Sequence, residues 1–428
     1  MMNNDVMIIK GNLIFTPSFG QLTVLEHSYI VIEGKRVKGT YADLPEEFAG
    51  LPITDYGNDL VMPGFVDLHS HAPQFVNRGL GLDLELLPWL EKYTFPAEAK
   101  FSDLMYAEAV YREVVLEFWR WGTTRTVLFG TIHKEATAKL LELLAQAGLG
   151  GYAGKVNMDR NSPPALVEAT ERSLADTEEF LQDNVSRYAL VKPIVTPRFV
   201  PSCSPELMTG LAYLAKKYQV PLQSHLSESA AEVNWVRKLH PKYQNYAEVY
   251  NQFELFGQQP TIMAHCVYSD VAEIELMAKK NVYVAHCPYS NVNLSSGIAP
   301  IRRMVSQGVS VGLGSDISGG HQVSMAQVIV ATVQASKLKW LETEKTEDFI
   351  TVREALYLAT KGGGSFFGQV GSFEEGYEFD ALVIQDHHAA DPNQRSLEER
   401  LQRFIYIGDD RDIIARYVAG KKVDQPQI

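Results

Sequence analysis

Beginning at FVDLHSH, residues 65–71, eight short apolar runs alternate with amphipathic helical segments. The runs are FVDLHSH, TTRTVLFG, GYAGKVNM, ALVKPIVTPR, VPLQSH, TIMAHC, VYVAHC and VSVGLGSD. Strands that are apolar throughout need cover on both faces, which is the condition of a parallel sheet wrapped by helices. Eight such units predict an α/β fold closed as a (β/α)8 barrel. Ser102 is expected to cap a helix running through LMYAEAVYREVVLEFWRW to Gly122. Ser204 is expected to cap SPELMTGLAYLAKKYQ, and PPALVEATERSLADTEEFLQDN to form a third helix.

The two ends of the chain read differently. DVMIIKGNLIFTP and YIVIEGKRVKGTY near the start, and GSFEEGYEFDALVIQD and IIARYVAGKKV near the end, are short strands punctuated by Gly and Pro. They predict one small β-sandwich domain built from residues 1–64 and 371–428, around a barrel of residues 65–370.

The polar residues of the apolar runs fall at their ends. His69 and His71 close the first run, Arg198 the fourth, His225 the fifth, His265 the sixth, His286 the seventh and Asp316 the eighth. The C-terminal strand ends of a β/α barrel gather at one mouth, so these residues are predicted to converge. A single strand-end histidine is more often a satisfied structural residue, and a single aspartate more often a turn cap. Those readings would have to hold independently at several strand ends, and His69 and His71, at alternate positions beside Asp67, suit two ligands on one ion. His27, His240, His387 and His388 read as solvated, and His133 as ambiguous.

Three imidazoles and one carboxylate suit zinc or ferrous iron, with a position left for water. Such an ion generates a nucleophile from water near neutral pH. Deamination of an aromatic ring also needs an acid at a ring nitrogen, and Glu228, three residues after His225 in HLSE, is placed to supply it. A zinc site of the H-x-E…P-C-x-x-C kind is excluded, because Cys203, Cys266 and Cys287 form no C-x-x-C. Cys266 and Cys287 each follow a strand-end histidine and are expected to point away from the mouth as buried thiols.

The net charge of −13 disfavours nucleic acid and anionic membrane surfaces as partners. Three cysteines in 428 residues make no disulfide framework, which points to a reducing compartment. The N-terminal stretch has no signal-peptide pattern and no window reaches a membrane span, so a cytoplasmic protein is expected.

PGFVDLHSH together with HLSE, AHC, GSD and the split β domain resembles the amidohydrolase superfamily over nearly the whole chain. LLPWLEKYTFPAEAKF, VKPIVTPRF, QSHLSE, HCPYSNVNLSSG and FIYIGDDRDI are similar to its guanine deaminase branch. The resemblance implies one zinc ion on His69, His71, His225 and Asp316, with iron as the alternative. It implies a proton shuttle at Glu228, with His265 and Asp316 orienting the water. Gln74, Arg198 and Phe199 would hold guanine, Trp89 would form part of the wall, and His286 and Asp67 would support the ligands. Two-metal members use a modified lysine at the end of the fourth strand. Here Arg198 stands there, with Lys192 well below, so one metal is expected. The implied reaction is guanine plus water giving xanthine plus ammonia, in a homodimer. The rival readings are a related deaminase acting on an adenosine derivative, a pterin or a triazine, and a catalytically silent scaffold.

Overall fold

The computed structural model describes residues 6–386 and 393–428, so His387 and His388 lie outside the described residues. Strands from the two ends of the chain share a seven-stranded sheet, in the order Lys421–Lys422, Ile413–Val418, Ala381–Ile384, Ile53–Pro63, Val6–Phe15, Thr23–Glu33 and Arg36–Tyr41. The two ends meet at its centre, where Leu382 pairs antiparallel with Met62 and Val383 with Val61. The two ends thus build one small β domain, as expected, with its strands joined in one continuous hydrogen-bonded sheet. Its strands alternate, so Ile9, Leu13, Phe15, Val61, Val383 and Tyr417 bury one face together with Phe373 and Phe379. Each fully buried side chain of this size contributes about 1.5–3 kcal/mol.

The last N-terminal strand runs through Gly64 into the first barrel strand. The eight barrel strands are Phe65–His71, Thr123–Phe129, Gly150–Gly154, Val191–Pro193, Leu222–Leu226, Thr261–His265, Tyr283–His286 and Ser310–Leu313. They form two four-stranded parallel sheets. One seam is bridged at Val195 and Leu222. The other closes where Asp316 N–H donates to His69 O at 2.9 Å and His71 N–H donates to Ile317 O at 3.1 Å. Val66, Leu68, Val127, Ile194, Ala264 and Ala285 fill the interior.

Helices follow the strands, with two boundaries shifted. Ser204 caps Pro205–Tyr218 as expected, accepting from Leu207 N–H. Leu104–Arg120 is capped by the Asp103 carboxylate, which accepts from Met105 and Tyr106 N–H, while Ser102 ends the preceding turn. The third helix starts only at Thr170. The PPALVEA stretch is held out of it because Glu168 pairs with buried Lys155 at 2.8 Å and its N–H donates to Met158 O.

Barrel and sheet are tied together by one buried ion network. Arg125, on the second barrel strand, donates through Nε and Nη2 to Asp380 at 2.6 and 3.0 Å and through Nη2 to Glu378 at 3.0 Å. Among the described residues no helix is long and apolar enough to cross a membrane.

Candidate active site

A bulge aims the first two histidines. Between Asp67 and Ser70 the first strand advances three residues while its neighbour advances two, from Thr126 to Leu128. The extra residue breaks the alternation that placed Asp67 on one face with His69 and His71. Val66 and Leu68 stay in the barrel interior. Asp67 turns to the last strand end, where it accepts from Ser315 Oγ at 2.5 Å and Ser315 N–H at 3.0 Å. Burial raises its carboxyl to about 6, against the pull of those hydrogen bonds.

His69, His71, His225, His265 and Asp316 converge at the mouth, all buried. Asp316 Oδ1 lies 3.2 Å from His69 Nε2 and 3.5 Å from His71 Nε2, and its Oδ2 lies 3.7 Å from His265 Nε2. His71 Nε2 and His225 Nε2 are 3.1 Å apart. Two of these residues occupy the left-handed backbone region, His265 at φ +73 and Asp316 at φ +47, which non-glycine residues rarely adopt. Gly314 allows the last strand to approach: a Cβ there would lie 2.9 Å from both Cys287 Sγ and His69 Cβ. Phe129 packs its ring against those of His69, His71 and His225, at centroid distances of 4.6–5.1 Å.

The donor set fits a cation. His225 Nδ1–H donates to Arg198 O at 2.6 Å, which leaves the Nε2 lone pair facing His71 Nε2. His69 Nδ1, His69 Nε2 and His71 Nδ1 are buried without a hydrogen-bond partner, a costly arrangement unless another group binds there. Burial holds His71 and His225 well below the usual imidazole range and lowers His69 too, so their lone pairs are available. Burial opposes ionisation of Asp316, but His69, His265 and His71 outweigh it and hold the carboxyl well below the usual range. Among the described residues two overlapping groups could hold a metal ion: His69, His71 and His225, and His69, His265, Cys287 and Asp316.

Glu228 completes the chemistry. Ser227, at φ +49, turns the chain so that the Glu228 carboxyl comes within 3.5 Å of His265 Nε2. Burial first, then the nearby Glu232 and Asp316 carboxylates, push it well above the usual carboxylate range despite Arg198. His265 is held in turn by Asn291, whose Oδ1 accepts from Nδ1 at 2.9 Å. The pocket in front is lined by Gln74, Leu86, Trp89, Leu90, Arg198, Phe199 and Leu294. Trp89 Nε1–H donates to Leu80 O, so its ring is fixed as a wall.

The amidohydrolase family model matches residues 60–423. The chain belongs to the amidohydrolase family. Amidohydrolases are metal-dependent, in accord with the donor set above. Within the family the chain is 40% identical to a guanine deaminase of Dictyostelium discoideum, over 98% of this chain and 99% of that protein. It is 50% identical, with a TM-score of 0.96, to the guanine deaminase from C. acetobutylicum with guanine bound in its active site, covering 98% of this chain and 100% of that one. A zinc-bound adenosine deaminase from Xanthomonas campestris, 22% identical over 99% of this chain and 94% of that one, with a TM-score of 0.83, shares the fold.

Three expectations differ from this amidohydrolase site. His286 does not support the histidine cluster; it lines a separate cavity with Ile298, Pro300, Thr332, Ser336 and Trp340. Burial lowers its imidazole to about 3. Cys287, expected to point away, lies instead beside His69, His265 and Asp316. His240 is buried, within 3.2 Å of Arg160, rather than solvated. His27 is exposed, and His133 ends the loop before helix Lys134–Gln146 with Nε2 unpartnered. Lys192 reaches away to Val185 O. The sequence reading gave no role to Glu98, Asn291 or Phe129, although LLPWLEKYTFPAEAKF, HCPYSNVNLSSG and TTRTVLFG contain them, because no spacing ties them to the strand-end residues they meet.

Proposed function

We propose that this amidohydrolase deaminates guanine hydrolytically to xanthine and ammonia. The observation that carries the reading is the buried Glu228 carboxyl beside His265, its proton affinity raised by burial, in a pocket whose other side presents Arg198 and Gln74. Full-length similarity to guanine deaminases supports the choice of base.

His69, His71, His225 and Asp316 are the residues we assign to a single divalent ion, zinc by donor type, with ferrous iron satisfying the same donors. When bound, the ion supplies Lewis acidity that makes water a nucleophile near neutral pH. Asp316 and His265 orient that water and take its proton, His265 through the Nε2 left free by Asn291. Glu228 donates its proton to the ring nitrogen next to the attacked carbon and so makes the carbon electrophilic. Arg198 donates to the ring carbonyl oxygen, Gln74 adds an amide contact, and Phe199 and Trp89 exclude bulk water. The proton taken from the water passes to the exocyclic amine, which leaves as ammonia, and the proton of the added hydroxyl returns to Glu228 as the carbonyl of xanthine forms. The same reading places the barrel within residues 65–370 and the enzyme in the cytoplasm as a homodimer in purine catabolism, acting on neither nucleic acid nor membrane.

Metal-replete protein incubated with guanine, with adenine and a pterin alongside, is expected to release xanthine and ammonia in equal amounts from guanine only. Guanine left intact by metal-loaded protein would instead favour a related aminohydrolase. Removing the metal with a chelator is expected to abolish turnover, and zinc to restore it. Full activity in metal-free protein would rule out the assigned site.

A further inference from the structure

Glu98 ends the short helical turn Phe95–Glu98, far in sequence from the strand ends, yet it is only 1% exposed and lies behind the substrate pocket. Its Oε1 accepts from Gln74 Nε2 at 3.0 Å and its Oε2 from Arg198 Nη1 at 2.6 Å. The same turn supplies Phe95, whose ring centroid lies 5.2 Å from the Arg198 guanidinium carbon. A carboxylate only accepts, so the nitrogen end of the Gln74 amide must face Glu98. The Ser318 backbone N–H only donates, at 3.3 Å to Gln74 Oε1, so the oxygen end must face Ser318. The amide orientation is therefore determined from both ends.

We infer that Glu98 is the specificity-setting positioning residue of this pocket. By dividing its two oxygens between Gln74 and Arg198, it fixes a donor pattern that accepts a ring carbonyl and rejects an amine at the same ring position. The inference rests on the guanine reading above. Guanine and 2,6-diaminopurine differ at that ring position, where one carries a carbonyl and the other an amine, and at the adjacent ring nitrogen, which bears a proton only in guanine. A guanidinium has only donors, so it pairs with the carbonyl and leaves the amine facing another donor.

The test compares both bases on metal-loaded wild type, Glu98→Gln and Glu98→Asp, with metal content measured for each. Wild type is expected to prefer guanine. In Glu98→Gln the preference should narrow at least tenfold, through a rise in KM for guanine larger than any fall in kcat. Should Glu98→Gln fail to fold, Glu98→Asp keeps the buried charge but shortens its reach, and a narrowed preference there supports the inference equally. An unchanged preference in a folded, metal-loaded variant, or a fall confined to kcat, overturns it. Wild type inert toward guanine overturns the functional reading and this specificity with it, whereas an active wild type with indifferent variants overturns Glu98 alone.

Discussion

Glu228→Gln is expected to lower kcat by about 10³-fold, roughly 4 kcal/mol of transition-state stabilisation, while the bound metal stays at the wild-type level. The amide has the size of the carboxyl and can still donate a hydrogen bond, but it cannot transfer a proton to the ring nitrogen. The close approach of the Glu228 carboxyl is to His265 at 3.5 Å, which is not one of the assigned ligands, so the substitution leaves the ligand set in place. The pH dependence has a definite sign. Burial and two nearby carboxylates raise Glu228, so the proton it must donate is present below the shifted value and lost as pH rises through it. Wild-type kcat should therefore fall on the alkaline side, and the residual activity of Glu228→Gln should lose that limb. Steady-state kinetics across pH with metal analysis of the same samples decides the matter. Near-wild-type turnover in the variant would remove Glu228 from the mechanism.

The largest expected effect on stability lies away from the mouth. Arg125→Ala leaves Asp380 buried with no cation, since Arg125 supplies both of its guanidinium contacts and the Asp380 side chain is fully buried. Breaking one side of a buried pair costs about 3–5 kcal/mol, because the remaining charge is desolvated without compensation. At roughly 0.9 kcal/mol per degree for unfolding a chain of this length, Tm should fall by about 3–6 °C. Replacing both partners, as in Arg125→Met with Asp380→Leu, should recover much of the loss, because the fully buried carboxylate is gone and Glu378 keeps its Lys35 partner. Thermal unfolding of the single and the double variant tests this; a Tm unchanged in the single variant would show that the network does not hold barrel and sheet together.

Several features could be read from short segments alone. The alternation of apolar runs with helical periods is local information, and it led to eight barrel units in the right order. The end of each run could be found the same way, which brought His69, His71, His225, His265, Asp316 and the following Glu228 to one mouth. The cap at Ser204 was equally local, because an N-cap contacts backbone only three residues away.

Glu98 shows where that kind of reading stops. It meets Gln74 across 24 residues and Arg198 across 100, and no periodicity links such positions. Arg125 and Asp380, 255 residues apart, were invisible for the same reason. The two AHC segments make the point most sharply. TIMAHC and VYVAHC share their last three residues, and both close a strand with histidine. His265 adopts φ +73, which turns its ring into the mouth. His286 does not, so it keeps the alternation of its strand and faces a cavity outside the cluster, while Cys287 takes the inward place. The chain's own residue types and spacing determined the barrel, the mouth and the chemistry available there. Which of two identical strand ends serves that chemistry was decided by the tertiary structure alone, because a backbone held in the left-handed region depends on contacts from distant parts of the chain.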